Sequence, residues 1–216
     1  MLDHVGTHVD AFRHVNPKGK PIDQMPLDLF MGKAVCLDLQ HIKDLEHITV
    51  KHMEEAEKKS GVSVNGHIVL LCTGFHKRNY ADRKQIVWGN PQLTAEATQW
   101  LFDKGSKMHG VEGPSTDSPA ENTFAQHRLC RDLGISHFEW LVNLEELVGK
   151  GEFEFMGLPI KFKDGSMTID MQTANMMLTV LDKVKPANQK KLTAMMNGKK
   201  SEFMKVHGFV MKALGK

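Results

Sequence analysis

Along the first two thirds of the chain, short apolar runs alternate with segments whose apolar residues recur at helical spacing. The run Ile68-Val69-Leu70-Leu71-Cys72 is apolar on both faces and predicts a central buried strand within 67–72. Further strands are predicted at 33–39, 107–111 and 135–140. Helices are predicted at 49–59, 94–102 and 123–133, with Thr49 as the N-cap of the first and Gly134 just after the last. This alternation predicts an α/β body.

The last part of the chain has a different pattern. From about Ala174 it has helical periodicity and many methionines, with breaks at Pro186 and near Asn197-Gly198. Between Gln172 and Lys216, nine lysines outnumber two acidic residues, a net charge of +7, so the rest of the chain carries −5 within the total of +2. We therefore predict a domain at 1–171 and a basic, Met-rich helical tail at 172–216.

The apolar stripes of this tail are typical of helices that cover the protein's own core or a dimer mate. The alternative is docking on a partner subunit, an acidic protein or an anionic surface. The tail's lysines occur without arginines or interleaved stacking aromatics, which argues against nucleic acid as a partner.

The composition, with 41% hydrophobic and 25% charged residues, is that of an ordinary globular protein. The longest strongly apolar run is far too short to cross a bilayer, and no signal peptide is expected. Cys36, Cys72 and Cys130 are odd in number and widely spaced, so no disulfide framework is expected. These features predict a cytoplasmic protein with no membrane partner.

Candidate chemistry is concentrated at the start of the chain, where His4, His8, Asp10 and His14 surround Gly6-Thr7. In an extended strand, His4, His8 and Asp10 share one face. A straight strand separates the two histidine backbones by about 13 Å, so a bend at Gly6 is needed before both imidazoles reach one ion. A helical turn is the other solution, although Gly6 and its β-branched neighbours disfavour it. Two imidazoles and a carboxylate suit Zn²⁺ or Mn²⁺; the alternative is a solvated, histidine-rich terminus.

The segment His4-Val5-Gly6-Thr7-His8-Val9-Asp10-Ala11-Phe12-Arg13-His14 resembles a known signature, His-x-Gly-Thr-His-x-Asp-x-Pro-x-His. That signature belongs to the cyclase-like metal-dependent hydrolases, a family that includes kynurenine formamidases and isatin hydrolases. Every polar position is matched, and Phe12 stands where the family has proline. A second similar stretch has His127 in a helix and Glu139 a dozen residues later. The loop at 110–117 also resembles the family's Gly-x-Asp-x-x-Ser-x-Asp loop, with Glu112 replacing the first Asp. The resemblance covers roughly residues 1–171.

This resemblance implies a kynurenine-formamidase-like mixed α/β domain with a helical C-terminal extension, and two divalent ions, Zn²⁺ or Mn²⁺, per chain. The implied ligands are His4, His8 and Asp10 for one ion. For the other they are Asp10, His127 and Glu139, with Asp10 and Glu139 able to bridge. The implied reaction is hydrolysis of a small amide, an arylformamide or a cyclic amide, by a metal-bound hydroxide. A homo-oligomer, dimer or tetramer, is also implied.

His14 matches the proton-transfer histidine of the family and is the implied catalytic residue. Its alternative role is to support a metal ligand. Thr73 and Ser115 are as consistent with turn and strand-end roles as with substrate orientation. The remaining candidate histidines are expected to be incidental: His76, His109 and His137.

Two functions remain open from the sequence. The first is the metal-dependent amidohydrolase, and the second is a catalytically silent family member that acts as a binding or assembly module through its basic helical tail. Family members have a longer segment before the signature, including a first strand and substrate-contacting aromatics. The resemblance therefore leaves the specific substrate open, and N-formylkynurenine is one candidate.

Overall fold

The computed structural model describes residues 4, 6–118, 124–155, 158–162, 164–169, 177, 180–181 and 183–213. The chain divides into two compact units, Met1–Phe155 and Met156–Lys216. The boundary that the sequence predicts between 171 and 172 lies outside the described residues and stays a prediction.

A six-stranded mixed sheet forms the centre of the first unit. Its strands are β1 (His8–Val9), β2 (Gly32–Asp38), β4 (Ile68–Cys72), β6 (Met108–Gly110), β7 (Ser136–Glu139) and β8 (Phe153–Phe155), and a separate parallel pair is formed by β3 (His47–Ile48) and β5 (Gln92–Leu93). The order across the large sheet is β1-β7-β6-β4-β2-β8. Its four inner strands run parallel, and the two edge strands are antiparallel to their neighbours. This order places the N-terminal strand beside β7.

Five α-helices are described in the first unit, and the sequence predicts three of them, at 49–59, 94–102 and 123–133. They are α1 (Val50–Ser60), α2 (Phe75–Asn79), α3 (Gln85–Trp88), α4 (Ala95–Asp103) and α5 (Ala125–Leu133). The Thr49 hydroxyl accepts a hydrogen bond from the His52 amide at the start of α1, and Gly134 ends α5 with a φ of 70°. The predicted α/β class is confirmed. The first two residues of the helix predicted at 123–133 lie outside α5, and Thr123 lies outside the described residues.

Both faces of the sheet are covered, which explains why β2 and β4 are apolar throughout. Alternate residues of the two strands point to opposite faces. The buried cluster on the face that packs against α1 and α4 includes Val35, Leu37, Val69, Leu71, Met53 and Leu101. The cluster on the other face includes Ala34, Cys36, Leu70, Cys72, Met108 and Leu141. The central buried strand predicted within 67–72 is β4, which lies between β2 and β6.

The second unit contains the predicted basic tail. Its described elements include an antiparallel pair, β9 (Leu158–Phe162) and β10 (Gly165–Ile169), and the helices α6 (Pro186–Met196) and α7 (Lys200–Ala213). Pro186 begins α6 and Gly198 lies between the helices, so both predicted breaks are confirmed. A buried apolar cluster of this unit contains Met177, Val180, Phe203, Val206 and Val210. This cluster favours the interpretation that the tail's apolar stripes cover the core of their own unit.

Within the described residues, no helix has both the length and the hydropathy that crossing a membrane requires. Cys36, Cys72 and Cys130 are all buried free thiols, as the sequence predicts.

Candidate metal centre

The opening segment bends sharply and pairs with β7. Gly6 has a φ of +71°, in the left-handed region that glycine adopts without strain, so the bend considered from the sequence is present. His8 then pairs with Glu139 in the antiparallel β1–β7 ladder. The Thr7 hydroxyl donates to the Trp140 carbonyl at 2.6 Å, and the Ser136 hydroxyl donates to the Asp10 carbonyl at 2.5 Å. These bonds hold the N-terminal histidines and Asp10 against the strand that carries Glu139.

The second source of candidate ligands is the α5–β7 hairpin. His127 lies near the start of α5, Gly134 ends that helix, and the chain returns through β7 to Glu139. Because β7 lies between β1 and β6, the returning strand brings Glu139 beside the opening segment. Asp10, His127 and Glu139 are all at most 4% exposed.

Asp10 lies at the centre of the cluster. Its Oδ1 is 3.1 Å from His4 Nδ1 and 3.4 Å from His8 Nε2. Its Oδ2 is 3.5 Å from His127 Nε2 and 3.6 Å from His14 Nε2. Two ligand atoms bound about 2.0–2.1 Å from one tetrahedral ion lie roughly 3.3 Å apart, so these separations suit shared coordination.

Glu139 reaches both sides of the same cluster. Its Oε2 is 3.3 Å from His8 Nε2, and its Oε1 is 3.8 Å from His127 Nε2. Two overlapping groups result, with the potential ligand atoms of each group within 4.8 Å of one another. One group contains His4, His8, Asp10 and Glu139, and the other contains Asp10, His127, His137 and Glu139. The structure therefore brings together all five ligand candidates that the sequence singles out.

The polar atoms of the cluster fit a cation. Both carboxylate oxygens of Asp10 are buried and have no hydrogen-bond partner among the described residues, although imidazole nitrogens surround them. His8 Nδ1 donates to the Gly6 carbonyl at 2.8 Å, and its other ring nitrogen, Nε2, faces the carboxylates. A buried carboxylate without hydrogen bonds is costly unless a charge compensates it, and these donor types are those of Zn²⁺ and Mn²⁺.

Burial and the neighbouring charges shift the pKa values of the cluster in opposite directions. Burial lowers the pKa of His8, but the nearby Asp10 and Glu139 carboxylates outweigh it and raise the pKa to about 10. Burial also raises the pKa values of Asp10 and Glu139, but the surrounding imidazoles hold both below their usual range. Both carboxylates are therefore ionised at neutral pH, the form in which they bind a metal.

His14 lies at the edge of the cluster. Its side chain is 35% exposed, and its ring stacks at a tilt on His4 with centroids 4.3 Å apart. Burial lowers the pKa of His14, against the raising effect of the Asp10 charge. A cavity of about 10 Å³, room for about one water, is lined by His14 together with Asp10, His127 and His137. His14 therefore lines this small cavity beside Asp10.

Asp117 orients the His127 ring through the ring nitrogen that faces away from Asp10. Its Oδ2 accepts hydrogen bonds from His127 Nδ1 at 2.6 Å and from the His127 amide at 3.0 Å, and its Oδ1 accepts from the Gln126 amide at 2.8 Å. This contact leaves His127 Nε2 free to face Asp10 and Glu139. Ser115 accepts from the Asp117 amide at 3.0 Å, which is a turn role.

Glu112 holds the residues that follow β4 through hydrogen bonds to its carboxylate. Its Oε2 accepts from the Thr73 amide and hydroxyl, both at 2.7 Å, and from the Phe75 amide at 3.2 Å. Thr73 therefore holds a structural position at the strand end. Burial raises the pKa of Glu112, although these three donors act in the opposite direction.

Sequence reasoning missed His137. The expectation that it is incidental is wrong, because His137 Nε2 lies 3.1 Å from Glu139 Oε1 and 3.4 Å from Asp10 Oδ2. His109, also expected to be incidental, is fully buried and stacks at a tilt on His137 with centroids 5.5 Å apart. The signal was available in the sequence, since residues two apart in a strand share a face and Glu139 was already a candidate. His76 lies in α2, outside both groups.

The sequence of this chain is similar to a known family and to several curated relatives. A sequence model described as "Putative cyclase" matches residues 1–118, more than half of the 216-residue chain. The kynurenine formamidase of Bacillus thuringiensis (strain Al Hakam) is 28% identical over 167 residues, which cover 76% of this chain and 72% of that protein. The kynurenine formamidase of Erythrobacter litoralis (strain HTCC2594) is 27% identical over 168 residues, covering 76% and 69%.

Solved structures of two isatin hydrolases resemble this chain in fold. Isatin hydrolase A from Labrenzia aggregata, bound to benzyl benzoate, is 26% identical with a TM-score of 0.57, covering 66% of this chain and 62% of that chain. Isatin hydrolase A from Ralstonia solanacearum is 24% identical with a TM-score of 0.57, covering 67% and 61%, and this likeness concerns the fold alone. The chain thus spans less than two thirds of either solved chain.

Proposed function

This chain belongs to the family described as putative cyclases, and on that premise we propose that it is a metal-dependent hydrolase of a small amide. The observation that carries the proposal is the convergence of two distant segments on one buried carboxylate. His4 and His8 approach Asp10 from the opening segment, and His127 approaches the same carboxylate from α5. A histidine-rich terminus without a function would not need this arrangement.

The relatives support the class of substrate. A formamidase and an isatin hydrolase, at 28% and 26% identity, are each named for a substrate that contains an amide. We infer that the substrate of this chain is an arylformamide or a cyclic amide, and N-formylkynurenine and isatin are the first compounds to assay.

The ligand set supports two ions per chain. His4, His8 and Asp10 would hold one, and Asp10, His127 and Glu139 would hold the other, with the two carboxylates shared between them. Zn²⁺ and Mn²⁺ both accept these imidazole and carboxylate donors. When bound, such ions act as Lewis acids that polarise a carbonyl and make water a better nucleophile.

The protein's own groups supply positioning and proton transfer. Asp117 holds the His127 ring so that its Nε2 faces the carboxylates. His14, half-buried beside Asp10, takes the role of the group that delivers a proton to the departing amine nitrogen. Its lowered pKa favours the neutral imidazole at working pH, from which it can accept the proton before passing it on. Support of a metal ligand is the alternative role for His14.

The test is metal content combined with turnover. Protein purified without added metal is analysed for bound elements and assayed on N-formyl arylamides, isatin and lactones. The intact chain is expected to hold about two divalent ions and to hydrolyse an amide. His8→Ala is expected to lose at least one ion and to reduce turnover by more than about 100-fold, because it removes a direct ligand rather than an outer-shell partner.

His76→Ala is the matched control, because His76 lies on α2 and stacks on Tyr80, away from both ligand groups. It should match the intact chain in metal content and rate. Two tightly bound ions without turnover on any of these compounds would favour the catalytically silent binding module. Absence of bound metal after reconstitution would reject both the hydrolase mechanism and the ligand assignment. The dimer or tetramer expected from the family stays a prediction, which sedimentation of the full chain checks.

A further inference from the structure

His137 occupies a central place in the buried half of the cluster. It lies on β7, two residues before Glu139 and on the same face of the strand. Its side chain is 3% exposed, and its Nε2 lies 3.1 Å from Glu139 Oε1 and 3.4 Å from Asp10 Oδ2. Both distances are shorter than those from His127 Nε2 to the same two oxygens, 3.8 and 3.5 Å. His137 is therefore closer to both carboxylates than His127, which the family resemblance implies is a metal ligand.

The two histidines meet the carboxylates from different directions. Their rings are nearly perpendicular, at 84° with centroids 4.9 Å apart. The Nε2 atoms of His127 and His137 lie 3.5 and 3.4 Å from the same oxygen, Asp10 Oδ2. Asp10, His127, His137 and Glu139 thus form a group of four buried donors with all potential ligand atoms within 4.8 Å of one another. Four donors of this kind match the coordination number that zinc has in closed protein sites.

The other half of the cluster differs in exposure. His4 is 36% exposed and His8 is 14% exposed, whereas His127 and His137 are 5% and 3% exposed. Catalytic metal sites keep a position open to water or substrate, whereas structural sites are enclosed, so the half that contains His4 and His8 is the one that substrate can reach.

We infer that His137 is a fourth protein ligand of the buried ion, completing a closed site with Asp10, His127 and Glu139. The inference rests on the proposed metal centre and assigns a different role to each of its two ions. The buried ion has a structural role, fixing Asp10 and Glu139, and the ion held by His4 and His8 is the one that substrate reaches. The expected consequence is two unequal affinities, with the buried ion bound more tightly.

The experiment is a titration of chelator-treated full-length protein with Co²⁺ and Zn²⁺, followed by absorption spectroscopy and dialysis. The intact chain should bind two ions in distinguishable steps. His137→Gln should weaken the tighter step by more than about 100-fold, since loss of an outer-shell partner alone costs roughly 10- to 100-fold. Circular dichroism of the metal-free variants checks that each one folds.

His109→Gln is the matched control. His109 pairs with His137 across β6 and β7 and is equally buried. It belongs to neither carboxylate-containing group, although one of its ring nitrogens lies within 4.8 Å of potential ligand atoms of Cys130 and His137, a third group that contains no carboxylate. It should leave the tighter step within about threefold of the intact chain, a small change on the scale of outer-shell effects. An equal loss in both variants would mean that packing of the buried histidine pair, and not coordination, sets the affinity, and would overturn the inference.

A second variant gives a direct signature of coordination. His137→Cys, kept reduced, places a thiolate at the same position and should add a sulfur-to-cobalt charge-transfer band that is absent from the intact chain. Two bound ions with neither this band nor the large loss in His137→Gln would overturn the inference and leave the proposed hydrolase intact. Failure of the intact chain to bind any ion would instead overturn the proposed function.

Discussion

Asp117 Oδ2 lies 2.6 Å from His127 Nδ1, and the same oxygen accepts the His127 backbone amide at 3.0 Å. The carboxylate therefore fixes both the tautomer and the orientation of the ring, and leaves Nε2 toward Asp10 and Glu139. Hydrogen bonds from these two donors and from the Gln126 amide, together with the charge of His127, hold the pKa of Asp117 below its usual range even though burial raises it.

Asp117→Asn should weaken metal binding without unfolding the protein. A neutral amide cannot hold the His127 ring as strongly as a carboxylate, so we expect about a 10- to 100-fold loss of affinity for the ion that His127 binds. Competition with a chromophoric chelator measures this loss. Asp132→Asn, at the exposed end of the same helix, is the control and should have no effect. Equal affinity in Asp117→Asn and the intact chain would show that the Asp117–His127 contact does not support the metal.

Gly6→Ala should impair the half of the cluster that contains His4 and His8. No other atom lies within 4 Å of a Cβ built at Gly6, so the cost is conformational and comes from the φ of +71°. That cost is about 1–2 kcal/mol, which corresponds to roughly 5- to 30-fold weaker binding of the more exposed ion. Gly6→Asn is the control, because asparagine tolerates this conformation better. If the Gly6→Ala variant and the intact chain bind the more exposed ion with equal affinity, the bend does not depend on glycine.

Metal removal should lower the thermal stability of the protein. A ligand at about 100 times its Kd stabilises the folded state by roughly 2.7 kcal/mol. For a chain of this size each kcal/mol changes Tm by roughly 2–4 °C, so chelation should lower Tm by roughly 5–10 °C. Differential scanning calorimetry with and without chelator measures the change. In His8→Ala the decrease in Tm on chelation should be smaller than in the intact chain. An equal decrease in Tm would mean that the metal binds elsewhere.

Glu112→Gln should change how stability depends on pH. Burial raises the pKa of Glu112, so the folded protein holds this proton more tightly than the unfolded chain does. The stability from such a group is present below the unfolded pKa and is lost as pH rises through the folded pKa. The glutamine variant stays neutral and can still accept bonds from Thr73 and Phe75. Its free energy of unfolding should therefore improve relative to the intact chain as pH rises from about 4 toward neutrality.

Urea unfolding of chelator-treated protein at several pH values measures this difference, because chelation removes the pH dependence of metal binding. A difference that stays constant with pH would mean that the hydrogen bonds from Thr73 and Phe75 fully compensate the burial of Glu112.

Much of the fold follows from local pattern. Thr49 and Gly134 mark helix ends because a hydroxyl and a left-handed glycine satisfy terminal backbone groups wherever the helix lies. The apolar run of β4 is buried on both faces as expected. The family that the opening signature predicts is confirmed by the match over residues 1–118.

The candidate site was only partly predictable. His4, His8 and Asp10 could be recognised because their spacing places them together on a short, bent segment. The strand pattern places His137 on the same face as Glu139, but the relation of His137 to Asp10 depends on the pairing of β1 with β7. The support that Asp117 gives to His127 likewise depends on a loop folding back onto the start of α5.

The sequence by itself determined the four central strands and three longest helices of the first unit, and which residue types are available to bind a metal. Those properties are local, because they depend on backbone preferences and on the spacing of neighbouring side chains. Only the tertiary structure decided that β1 lies beside β7 and that Asp10 therefore faces His127, His137 and Glu139. Strand pairing joins residues that are distant along the chain, and its free energy comes from burying the whole sheet, which no short segment encodes.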